Sequence, residues 1–184
     1  MNENFTNVNK SLQLQPIGDA RFSEDGVYRW WLTRKWGEAR QLLWVMLNPS
    51  IATATLDDQT VRRCVDHSKR WGWGSVMIVN LYALRSTNPK NLWGHPDPVG
   101  STNDEVLNVE VQRHKEVMLA WGALPKQARR RSGYVLDLAW EYGNILWCPG
   151  KTKEGYPRHP SRSPNIPKPI EYKKSTGTVE IEGR

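Results

Sequence analysis

Cysteine is scarce in this chain: Cys64 and Cys148 are its only thiols in 184 residues. Neither has a second Cys or a His at metal-ligand spacing, and two isolated thiols make no disulfide framework. Buried apolar thiols in a reduced, cytoplasmic setting are the expectation. No apolar run approaches the roughly 18 residues of a membrane span, and Met1 to Leu14 lacks the apolar centre of a signal peptide. A soluble protein with no membrane partner follows. There is no Cys-x-x-Cys pair, so the ligand pattern of a zinc deaminase cannot be completed, and no residue pattern calls for a metal or other cofactor. Internal repeats are absent too, and the length suits one domain and a monomer.

Tryptophan, by contrast, is abundant, with ten residues. Some must be core, but flat amphipathic rings on a basic protein also suit stacking on bases. Lys and Arg number 26 against 19 Asp and Glu, a net charge of +7. That balance is the electrostatic footprint expected of a polyanion binder, a footprint that many soluble proteins share.

The chain is organised around Leu42 to Leu47, six apolar residues that read as a strand buried on both faces. Asn48-Pro49-Ser50 ends it, because Pro49 cannot donate to a ladder and keeps Asn48 out of the helical region. Upstream, residues 1–20 read as a loose polar arm, and Val27 to Trp36 as an edge strand turning at Gly37-Glu38 into a hairpin. Downstream, Asp57-Asp58 starts a helix with a stripe of Val61, Cys64, Val65, Ser68 and Trp71, closed by Gly72. Ser75 to Leu81 is the next strand. Ser101 to Asp104 has capping-box spacing before a helix reaching His114, and Glu116 to Trp121 follows as a strand. After the basic stretch Lys126 to Arg131, a helix through Tyr134 to Tyr142 stops at Gly143, and Asn144 to Cys148 is a fourth short strand. Gly150 to Pro164, rich in Pro, Gly and charge, is a loop long enough to cross the sheet edge. Residues 167–184 read as a tail whose last four, Ile181-Glu182-Gly183-Arg184, match a protease site common in expression vectors.

The expected fold is a single α/β domain over residues 21–166. It is a three-layer α/β/α sandwich around a four-stranded parallel sheet, with an added N-terminal antiparallel hairpin. In such a sheet Asn48, Asn80 at the end of the second strand and His159 in the last loop all fall at carboxyl ends, so the topology brings them towards one pocket. Each also has a plainer role. Asn48 and Asp58 are ordinary capping residues, Asn80 can satisfy backbone groups at a strand end, and His159 before Pro160 can be an exposed loop residue.

Leu47-Asn48-Pro49-Ser50 resembles the first motif of the uracil-DNA glycosylase superfamily, especially its mismatch-specific branch, and His159-Pro160-Ser161 resembles the second. Val79-Asn80 is similar to the base-reading Asn of the uracil-specific branch. The fuller pattern is Arg-Trp-Trp-Leu at 29 to 32, Asn-Pro-Ser, Asp57 to Arg63 and Arg158 to Ser161. It resembles more closely a bacterial and phage family known only as a domain of unknown function. The superfamily resemblance implies a DNA N-glycosylase, a hydrolase that flips a deaminated or modified base out of DNA and cuts its N-glycosidic bond. Its Asn positions the attacking water, its His stabilises the departing base, and its Ser lies beside the DNA backbone.

That chemistry needs a donor at the base oxygen, an acceptor near the sugar and a placed water. His159, neutral or as imidazolium, is the candidate donor. Asn48 would orient the water, and Asp57 or Asp58 would act as base or stabilise the sugar cation. Asn80, with Pro49 and Ser50, is expected at the base. For DNA contact the candidates are Ser161, Arg158, Arg162, Lys151, Arg62 and Arg63, with the Arg129-Arg130-Arg131 run as a further basic patch. The chain lacks the Gly-Gln-Asp-Pro-Tyr motif of the most efficient uracil enzymes and the cysteines that hold an iron-sulfur cluster in other branches. Two alternatives keep the same fold: a non-catalytic binder of DNA or modified nucleotides, and an enzyme acting on free nucleotides.

Overall fold

The computed structural model describes residues 17–163 and 165–173. Residues 1–16 of the expected 1–20 arm and the vector-like terminus lie outside them. Among the described residues the chain is mixed α/β, with a seven-stranded sheet in the order β1-β2-β4-β3-β5-β6-β7. The strands are β1 (Ile17–Phe22), β2 (Arg29–Lys35), β3 (Gln41–Met46), β4 (Ser75–Asn80), β5 (Glu116–Leu119), β6 (Ile145–Cys148) and β7 (Ile170–Glu171). The helices are α1 (Gln59–Arg70), α2 (Asn103–Arg113) and α3 (Arg129–Glu141).

The sheet differs from the expected parallel core with one appended hairpin. Three of its pairings are parallel and three antiparallel. β3 runs parallel to both β4 and β5, and β5 parallel to β6. Antiparallel strands close both sides. β2 and β3 do not form the hairpin read from Gly37-Glu38. β2 pairs instead with β1 and with β4, which lies between β2 and β3. The reason is register: Trp36 and Gly37 donate their N–H groups to the carbonyl of Gly74, so the turn is fastened to the start of β4 and not folded back on β3. β1 starts at Ile17, inside the stretch read as a loose arm, and β7 lies inside the stretch read as a tail.

β3 is the centre of the core, with Leu42 to Val45 fully buried. Alternation along it divides the apolar interior. Leu42, Trp44 and Met46 pack with Val61, Cys64 and Val65 of α1. Leu43 and Val45 pack with Leu107 and Val111 of α2 and Val135 and Ala139 of α3. Each large side chain buried this way contributes about 1.5–3 kcal/mol. Asp58 caps α1 by accepting from the Val61 N–H at 2.8 Å, a contact that stabilises by about 1 kcal/mol. The capping box expected before α2 does not form, because Thr102 has helical backbone angles and makes no side-chain cap bond.

The tryptophans are core and half-buried packing groups; none is exposed. Trp44 stacks on Trp71, Trp71 stacks on His67, and Trp36 donates its indole N–H to the Trp73 carbonyl. This corrects the reading of the excess indoles as an open stacking surface for bases. Both thiols are buried, as their isolation predicts. No described helix is long and apolar enough to cross a membrane.

Candidate functional site

The segments that follow β3, β5 and β6, with Pro89 from the loop beyond β4, line one cavity at the carboxyl ends of these strands. It has a volume of about 590 Å³ and is lined by Leu47 and Asn48 after β3, Trp121 and Gly122 after β5, and Arg158 and His159 after β6. A second cavity of about 180 Å³ adjoins it, lined by Arg29, Ser50, Asp58, Thr60 and Ser86 among others. Asn48, Pro89 and His159 border both, so they form the boundary between an outer and an inner cavity.

Asn48 is oriented by the chain itself. Its Nδ2 donates to the carbonyls of Pro49 and Ser86, each at 2.9 Å, which fixes the amide and leaves Oδ1 as an acceptor with no partner among the described residues. Pro49 is buried and its carbonyl also accepts from the Ser86 N–H, so it braces the turn while Ser50 lines the inner cavity.

His159 is half-buried, and its Nδ1 accepts the Ser161 N–H at 3.2 Å while lying 2.7 Å from the Ser161 hydroxyl. A ring nitrogen that accepts a backbone N–H carries no proton, so in the neutral ring the proton sits on Nε2. Burial pushes the pKa of His159 down to about 4; Asp58 opposes that shift, while Arg162 and Arg63 add to it. The ring at neutral pH is therefore the uncharged Nε2–H donor, which decides between the two protonation states considered from sequence.

The two aspartates separate. Asp58 lines the inner cavity. Asp57 lines neither cavity, because its Oδ1 is held by the buried Arg34, at 2.8 Å from Nε and 2.7 Å from Nη2. Arg34 also donates to the Thr53 carbonyl at 2.6 Å, so the pair pins the loop before α1. Asn80 is buried and borders neither cavity; its carbonyl accepts from Asn103, and its Nδ2 has no partner among the described residues.

The basic candidates also divide. Arg158 and Arg162 are exposed and line the outer cavity. Arg63 instead donates to the carbonyls of Pro160 and Ser161, at 3.2 and 2.6 Å, which fastens the His159 loop to α1. Ser161 lines the outer cavity with its hydroxyl against the His159 ring. Lys151 lies over the Tyr172 ring, and Arg62 donates to the Asp57 carbonyl; neither borders a cavity. Arg131 turns inward to the Leu81 carbonyl and Asp104, leaving Arg129 and Arg130 exposed on the first turn of α3.

Two residues emerge that sequence reasoning did not single out. Trp121 is buried, lines the outer cavity, and its indole N–H has no partner among the described residues. The rule that placed Asn48 at a strand end applies equally to Trp121-Gly122 after β5. Arg29 is 3% exposed and lines the inner cavity; its Nη1 donates to the Ala52 carbonyl at 3.0 Å. Its signal was a cation opening a strand otherwise rich in Trp and Leu. Among the described residues no three His, Cys, Asp or Glu side chains gather as a metal site would need.

Comparison with curated proteins and with solved structures gives no match. One family model does match, over residues 29–161, a span that starts at Arg29 of the inner cavity and ends at Ser161 of the outer one. Because that match covers well over half of the chain, the protein belongs to the family described as protein of unknown function DUF1643.

Proposed function

We propose that this protein is a DNA glycosylase-like hydrolase that cuts the N-glycosidic bond of a deaminated or modified base, on a three-layer α/β/α fold of the uracil-DNA glycosylase type. The observation that carries the reading is that Asn48 and His159, 111 positions apart in sequence, border the same two cavities with complementary chemistry. Oδ1 of Asn48 is an acceptor that can hold a water, and Nε2–H of His159 is a neutral donor that can stabilise negative charge on a leaving base.

In the reaction, a water held by Asn48 attacks C1′ as the bond to the base breaks. The bonding pair leaves with the base, whose anion His159 stabilises by hydrogen bonding, and the proton lost by the water passes to solvent through the open outer cavity. Of the two carboxylates, Asp58 is the one that borders a cavity, since Asp57 is occupied by Arg34. Arg158 and Arg162 supply positive charge at the outer cavity for flanking phosphates.

The test is to incubate purified protein with oligonucleotides carrying uracil, hypoxanthine or modified pyrimidines and to score abasic sites by alkaline strand cleavage. Abasic sites that vanish with Asn48→Ala support the reading. No abasic site on any substrate, together with salt-sensitive DNA binding unaffected by Asn48→Ala, selects the non-catalytic binder. That alternative is favoured by one feature: Oδ1 of Asp58 is already engaged by the Val61 N–H, which weakens it as a base.

A further inference from the structure

Arg29 is the least expected group in the interior. Burial pushes its pKa down to about 10, with Asp58 opposing and Arg85 and Arg34 reinforcing, so it remains a cation at neutral pH. A buried cation normally has a carboxylate in direct contact. Arg29 has none: among the described residues its protein hydrogen bond is the one to the Ala52 carbonyl, and Nε is buried without a partner. Asp58 faces the same cavity, yet the two form no ion pair. A donor and an acceptor of opposite charge thus stand on one small cavity with a gap between them.

The cavity's size limits what bridges that gap. Pockets that hold whole small ligands measure roughly 300–1,000 Å³. The outer cavity, about 590 Å³, is in that range, and the inner, about 180 Å³, is below it. The inner volume therefore suits part of a ligand, one ring and its exocyclic atoms. Because Arg29 and Asp58 cancel in net charge, a neutral group with an acceptor beside a donor suits them better than a phosphate does. Ser50 and Thr60 also line the same wall, whereas the Ser86 hydroxyl is engaged by the Asn88 backbone.

We propose that the inner cavity is a nucleobase-edge subsite, in which Arg29 donates to and Asp58 accepts from adjacent groups of a single-ring base. The inference rests on the glycosylase-like reading only for the polymer that delivers the base. With the base there and the sugar and phosphate in the outer cavity, the glycosidic bond lies at the boundary set by Asn48 and His159. Arg29 is then the specificity residue of the site.

The experiment uses the full chain and equilibrium binding, so it does not depend on turnover. Uracil, 3-methyluracil and hypoxanthine are titrated into the protein by NMR. In a second arm, single-stranded oligonucleotides carrying deoxyuridine or 3-methyldeoxyuridine are titrated by fluorescence anisotropy. The expected result is that N3 methylation, which removes the ring donor without touching the protein, weakens binding at least about tenfold, as do Arg29→Met and Asp58→Asn. Hypoxanthine should bind at least tenfold more weakly than uracil. An effect in both arms identifies a base read free or in DNA; an effect in the oligonucleotide arm alone identifies a base read only when DNA delivers it. Indifference to N3 methylation in both arms overturns the subsite even if abasic sites form. Methylation-sensitive binding without abasic sites keeps the subsite and removes the glycosylase.

Discussion

Arg63, in the middle of α1, donates to the carbonyl oxygen of Ser161 at 2.6 Å, across 98 positions of sequence. The same Nη1 reaches the Pro160 carbonyl, and His67, one helical turn on, lies 3.2 Å through Nε2 from the Ser163 carbonyl. Helix α1 is thus the anchor of the loop that carries His159. Replacing Arg63 by Met should cost about 1–2 kcal/mol in urea denaturation and speed amide exchange at residues 159–163. If Arg63 were a phosphate contact instead, DNA affinity would fall and loop exchange would stay as in the parent.

The depressed pKa of His159 sets a pH dependence with a definite sign. The unfolded ring takes up its proton near pH 6.5, whereas the folded ring resists until about pH 4. Between these values the unfolded state binds more protons, so the contribution of this group to stability is constant above about pH 6.5 and declines as pH falls towards 4. His67, also lowered by burial and next by the adjacent Arg70, acts in the same direction. Thermal melts from pH 7.5 to 4.5 should show this decline, and His159→Asn, which can still accept the Ser161 N–H, should make it shallower.

Asp57 and Asp58 are neighbours with different work, and the Asn variants separate them. Asp57→Asn leaves the buried Arg34 without its carboxylate and should destabilise by about 1–3 kcal/mol, with the His159 titration unmoved. Asp58→Asn retains a good helix cap and, having no direct pair with Arg29, should cost less stability than Asp57→Asn although it removes the carboxylate that favours the buried cation. It removes the group that raises the His159 pKa, so NMR titration should find that pKa lower still. The reverse pattern would exchange the assigned roles.

Gly122 has φ +81 and its N–H donates to the Pro157 carbonyl at 2.9 Å. A Cβ there would stand 3.4 Å from Cβ of His159, against the loop that carries the ring. Gly122→Ala should therefore cost about 1 kcal/mol through backbone strain and shift the His159 ring resonances. Gly143, at φ +67 with open space around it, is the control: Ala there should show similar strain and leave those resonances in place.

Much of this arrangement is legible in the residues because it is local. The apolar run at Leu42 to Met46, the Asp58 cap and the stripe through Val61, Cys64 and Val65 follow from periodicity and side-chain chemistry over a few positions. The approach of Asn48 and His159 follows from one topological rule about carboxyl ends. What escapes is decided by partners distant in sequence. Asp57 looks equivalent to Asp58 until Arg34 claims it. Arg63 and Arg131 look like surface charge until the carbonyls they reach are known. Asn80, a polar residue ending a strand, is buried beside Asn103 and not at the cavity. Adjacency in sequence points to β3 as the partner of β2, whereas the sheet interposes β4.

That interposition bears on how the molecule is made. During synthesis the ribbon of β1 and β2 leaves the ribosome before β4, and the edge it docks on is complete only once Asn80 has been added. A lone two-stranded ribbon is marginal in water, so the stretch carrying Arg29 waits unanchored while β3, α1 and β4 assemble. The buried arginine is then set in place late, by the docking that completes this side of the sheet, and a nascent chain arrested before residue 80 would hold its guanidinium in solvent.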